Sequence, residues 1–282
     1  MFPPVSTKDP VAVEVAVQAA YATLFPGGEP QFVARVFGWA TNAFNGNYAD
    51  FQPVDAAYHD LEHTLQGTLC LVQLLRTRQV SGAHPPITQR LFQLGPLAVL
   101  LHDSGYLKRR DDIEGTGAKY TATHVHRSAE FAAALMTEKG FPALDILSVR
   151  NMIHCTGVDA VLGRIDFQSE AERTVGLALG TADLLGQMAA DDYVEKLSAL
   201  YSEFAEAAQY TKDKTSIVGM FSSAQDLLQK TPTFWDYTKN RLTRDFGGLY
   251  RFLNDPYPFG PNHYLERIEA NVERVRQLLN KP

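Results

Sequence analysis

Two stretches limit what this chain can fold into: AAYHDLEHTLQG at residues 56–67 and LAVLLHDSGY at residues 97–106. Each sets histidines into a helical run that is otherwise apolar. In the first, Asp55 is the expected N-cap, which places His59 and His63 on the following helix, one turn apart and on one face. In the second, Pro96 suits a helix start and Gly105 a helix end. The intervening Leu-Ala-Val-Leu-Leu is too apolar to face water, so the adjacent His102 and Asp103 are carried inward. A buried carboxylate beside a buried imidazole is costly unless the two are paired or bind a cation. We read them as metal ligands.

The rest of the chain reads as helix. Residues 10–25 and 30–44 are amphipathic and split by the breaker PGGEP. The first histidine helix continues to about Arg78. A helix from about Ile87 bends or restarts at Gly95-Pro96. Further helices are expected at 124–139, closed by Gly140, and from Pro142 to His154. Another spans 169–188, opened by the capping pair Ser169 and Glu172, and more follow at 190–209, near 216–229 and at 262–279. No strand pattern or repeat shows. The expectation is an all-α fold in one domain, with N-terminal helices in 1–50, a core in 56–209 and a C-terminal helical extension in 210–282.

Composition narrows the function. A formal net charge of −6 argues against binding a nucleic-acid polymer, whose phosphates want a basic face. The only two cysteines, Cys70 and Cys155, exclude a disulfide framework and suit a reducing compartment. With no spanning apolar stretch and no signal pattern, the expectation is a cytoplasmic protein without a membrane partner.

Six of the eight histidines, His59, His63, His102, His124, His126 and His154, fall in apolar helical contexts. Adding Asp103 and Asp183 gives the order H…H…HD…H…H…D. In that order the chain resembles the HD-domain metal-dependent phosphohydrolase superfamily. The doublet His102-Asp103 matches the pair that names it, and the acid of TADLLGQM matches its distant metal-binding Asp. His124-Val125-His126-Arg127-Ser128-Ala129-Glu130 and Asn151-Met152-Ile153-His154 are similar to its two later histidine regions. Tyr58-His59 with His63 further resembles the cyclic-nucleotide phosphodiesterase branch, Asp60 standing where that branch has Asn. The resemblance covers roughly residues 56–190.

It implies that His63, His102, Asp103 and Asp183 form one metal site, with Asp103 bridging to a second ion completed by His124 and His154. The cofactor would be one or two divalent ions of Fe, Mn, Zn, Co or Ni, as mixed imidazole and carboxylate ligation suits. His124 is preferred to His126, which is about 200° further round a helix, because Ser128, Phe131 and Leu135 continue its inward face. For a phosphoester, metal-activated water attacks, and His59 protonates the departing oxygen. Lys108, Arg109 and Arg110 would hold remaining phosphate charge, with Tyr106 and Arg150 as further substrate contacts. The expected partner is a small phosphorylated substrate such as a nucleotide, and the general prior for such enzymes adds a homodimer. Two rival readings remain: a di-iron oxygenase, since the same order resembles myo-inositol oxygenase, and a catalytically silent metal- or nucleotide-binding regulatory module.

Overall fold

The computed structural model describes residues 5–157, 160–211 and 219–280. Among them are ten α-helices and no strand; a lone backbone bridge joins Phe51 to Arg109. In chain order the helices are α1 (Pro10–Leu24), α2 (Phe32–Phe44), α3 (Leu61–Val80), α4 (Gln89–Leu101) and α5 (His124–Glu138). They continue as α6 (Ala143–Ile153), α7 (Glu170–Met188), α8 (Tyr193–Tyr210), α9 (Ala224–Arg244) and α10 (His263–Leu279). The protein is all-α, and no described helix is long and apolar enough to cross a membrane. Both cysteines are buried free thiols.

Helix α3 is the axis. From His63 to Leu75 every residue except Gln73 is buried, so it shows no single apolar stripe and is covered on all sides. Its most extensive partner is α7, with α1 and α4 also against it. The α3–α7 approach is close because α7 has glycine at the crossing. A Cβ on Gly186 would lie 2.8 Å from the backbone carbonyl carbon of Gln66 and the amide nitrogen of Gly67. Backbones that near each other bring the side chains of both helices to one place.

Several expectations about element limits need correction. Asp55 does not cap α3. The cap is Asp60, whose Oδ1 accepts from the His63 amide at 2.8 Å, so α3 starts at Leu61 and His59 precedes it. Asp55 instead accepts from the Gly117 amide at 2.7 Å and pairs with Lys108 at 3.0 Å. Pro96 does not start a helix either. Thr88 caps α4, its hydroxyl accepting from the Leu91 amide at 3.2 Å, and Pro96 lies inside the helix. The preceding Gly95 faces α3 and α7, where a Cβ would lie 3.1 Å from Val175 and 3.4 Å from Leu75, so this pair marks a close approach and not a restart.

Helix α4 stops at Leu101, and Gly105 belongs to a separate 3-10 turn, Ser104–Tyr106. The short helix expected near 216–229 is the 21-residue α9, in which Leu227, Thr231, Trp235, Thr238 and Leu242 form one buried stripe running past Pro232. Residues 212–218, where part of that expectation falls, lie outside the described residues. The Ser169 cap is as expected, its hydroxyl accepting from the Glu172 amide at 3.1 Å.

Candidate metal centre

Four side chains meet where α3, the end of α4 and α7 converge. His63 comes from the first turn of α3, His102 is the residue that closes α4, Asp103 follows it, and Asp183 lies on α7. His63 Nε2 is 3.1 Å from Asp103 Oδ2 and 3.3 Å from Asp183 Oδ1. His102 Nε2 is 3.3 and 3.2 Å from the same two oxygens. Among the described residues the His63, His102 and Asp103 donor atoms all lie within 4.8 Å of one another, and Asp183 Oδ1 lies beside both imidazoles. All four residues are buried.

The donor chemistry fits a cation. His102 Nδ1 lies 2.7 Å from the Val99 carbonyl, which can only accept. The ring proton therefore sits on Nδ1, and Nε2 turns its lone pair toward the carboxylates. Asp103 Oδ2 is buried with no aligned hydrogen-bond donor. Atoms bound at about 2.1 Å to one ion, roughly 90–109° apart, lie about 3.0–3.4 Å from each other, and the four spacings above fall in that range. Without an ion the same set must hold protons instead. Burial alone would lower the His63 pKa, but Asp103 and Asp183 reverse this and raise it to about 10. His102 is raised for the same reason. Burial works to raise both acids, yet the neighbouring imidazoles hold Asp103 and Asp183 well below the usual carboxylate range.

Beside this set stand His59 and His124. His59 Nδ1 is 2.5 Å from Glu203 Oε2, and the other oxygen of Glu203 accepts from the Tyr58 amide at 2.6 Å and the His59 amide at 3.3 Å. The Tyr106 ring, fully buried, stacks on His59 at 4.6 Å and on His124 at 4.9 Å between centroids. His124 is brought in by the start of α5, which seats on Gly105: a Cβ there would lie 2.1 Å from the His124 carbonyl oxygen. Its Nδ1 donates to the Thr121 carbonyl at 2.6 Å, and its Nε2 lies 3.8 Å from Asp103 Oδ1. Burial lowers the His124 pKa, against the pull of Asp103.

The other expected residues make different contacts. His154 stacks at 6.5 Å on the exposed His126, and the charges it feels are Arg150, His126 and Glu130. Arg150 is paired with Glu130 at 2.6 Å. Lys108 is buried and spent on the Gly115 carbonyl at 2.6 Å and on Asp55. Arg109 is exposed and covers the Phe51 ring, and Arg110 reaches the Gly46 carbonyl. Tyr106 backs two imidazoles and does not face solvent. In place of the expected cluster of phosphate-holding cations after the doublet, the chain has structural ties.

Sequence reasoning missed Glu203 and Gln187. Glu203 is 3% exposed among the inward residues Leu197, Phe204 and Ala207 of α8, and an acid on that stripe was the available signal. Gln187 lies one turn beyond Asp183, and its Oε1 accepts from the Tyr58 hydroxyl at 2.8 Å.

These features define an all-α protein with a buried histidine–aspartate cluster at a helix crossing. A family model described as Npun_R2479-like matches residues 111–245, taking in His124, Asp183 and Glu203 but beginning after His63, His102 and Asp103. No curated protein matches the chain.

Proposed function

We propose that the protein is a metal-dependent phosphohydrolase acting on a small phosphorylated substrate, with His63, His102, Asp103 and Asp183 holding one divalent ion. The observation that carries this reading is the convergence of two imidazole nitrogens and two carboxylate oxygens at 3.1–3.3 Å. A bound divalent ion supplies a water of lowered pKa and positive charge against phosphoryl oxygens. Glu203 accepts the Nδ1 proton of His59, which leaves the other ring nitrogen as the one that would take up a second proton and pass it to the leaving oxygen. Tyr106 keeps the His59 ring flat against a buried wall. His124, close to the second oxygen of Asp103, offers a donor at the edge of the same site.

The hydrolytic reading is distinguished from the di-iron oxygenase by phosphate release without oxygen consumption. Elemental analysis of the purified protein, followed by a phosphoester panel on wild type and Asp103→Ala, tests it. One equivalent of metal and hydrolysis lost with Asp103 is the expected result. Metal without hydrolysis would favour the regulatory module, and full activity in Asp103→Ala would end the proposal.

A further inference from the structure

We propose that Gln187 is a positioning residue, holding His59 in its proton-donating orientation through the Tyr58 hydroxyl. This rests on the hydrolase reading. Tyr58 and His59 precede α3, so no helical ladder orients them. Their amides go to Glu203, and the Tyr58 side chain goes to α7. There the Gln187 amide has one possible orientation. Its Nε2 donates to the Asp183 carbonyl at 3.1 Å, and that oxygen can only accept, so Oε1 must face the Tyr58 hydroxyl that donates to it at 2.8 Å. The Tyr58 ring then meets His59 edge-on, 5.0 Å between centroids at 68°, and leans on His63 at 5.8 Å. Tyr106 stacks on His59 at 4.6 Å. The imidazole is confined by two rings, and Gln187 fixes the polar end of one of them. Because Asp183 and Gln187 are a turn apart on α7, the candidate ligand and the support of the proton donor are set by one helix.

A positioning role predicts a loss that depends on the leaving group. Nitrophenolate departs without a proton, whereas an alkoxide needs one. The test compares Gln187→Leu, Tyr58→Phe and the double variant, as full-length metal-loaded protein, on the p-nitrophenyl ester of thymidine monophosphate and on the thymidine dinucleotide. We expect each single variant to lose at least about tenfold more kcat on the alkyl ester than on the aryl ester. Metal content should stay at the wild-type level, and the double variant should be no worse than the poorer single. Equal loss on both esters, or single losses that multiply, would overturn the proposal. Tyr58→Phe keeps the ring, so it preserves the test if Gln187→Leu folds poorly. A metal-loaded wild type inactive on both esters and across the phosphoester panel would instead sink the hydrolase reading, and this role with it.

Discussion

On the proposed reading, Glu203 is the residue whose removal should separate proton delivery from metal binding. Burial would raise its pKa, but the His59 charge and the hydrogen bonds from Tyr58 and His59 lower it, so it is ionised at neutral pH. Glu203→Gln keeps the volume and removes the negative charge facing His59 Nδ1. We expect kcat on an alkyl ester to fall by roughly 10²-fold or more, with metal content unchanged, measured by steady-state kinetics beside elemental analysis. His63 supplies a pH prediction of definite sign. Its pKa is raised from 6.5 to about 10 in the metal-free protein. The stability gained from its proton is complete below pH 6.5 and is lost as pH rises through about 10. With an ion bound, the imidazole is already deprotonated and that loss disappears. Chelator-treated protein should therefore fall in Tm from pH 6.5 to 10 relative to metal-loaded protein. Parallel curves would show that His63 does not exchange a proton for an ion.

At the scale of single elements, α3 shows what sequence could and could not say. Asp55 and Asp60 both precede the same apolar run, and Ala56-Ala57 between them are good helix formers. Local preference does not choose between the two caps. The choice is made by Glu203, far along the chain, which takes the Tyr58 and His59 amides and holds the chain out of a helix. His63 and Asp183 were legible as polar residues within buried helices, and His102 and Asp103 as a polar pair directly after the apolar run of α4. The signal for Glu203, an acid on the inward stripe, was masked because α8 also carries outward acids such as Glu195. Lys108 misled because its partners, Asp55 and the Gly115 carbonyl, are set by the fold of the loop and not by neighbours in sequence. Two substitutions check these assignments. Asp60→Ala should cost about 1 kcal/mol through loss of the helix cap, read by denaturant unfolding. Gly186→Ala should do more than destabilise. Its methyl would press on the Gln66–Gly67 backbone at 2.8 Å, parting α3 from α7, so bound metal should fall in step with Tm.

The whole molecule is needed to keep α7 where it is. Asp183 lies on that helix, and α7 is braced from the C-terminal side. Asn271 of α10 donates to the carbonyls of Met188 and Ala190 at 2.9 and 2.8 Å, and Arg267 to that of Ala189 at 2.8 Å. Phe246 packs so near α7 that a Cβ on Gly180 would lie 2.7 Å from its ring. Ile268, Val272 and Val275 bury the inward face of α10. Each buried side chain of this kind contributes about 1.5–3 kcal/mol, so together they rival the roughly 5–15 kcal/mol by which a folded domain exceeds its unfolded chain. The family match, which ends at residue 245, excludes all of them. A chain stopped after Asp245 should consequently show no cooperative unfolding in calorimetry and less than one equivalent of bound metal. A cooperative transition with full metal binding would mean instead that α7 is held by α3 and α4 alone, and that the last helix only covers an already assembled centre.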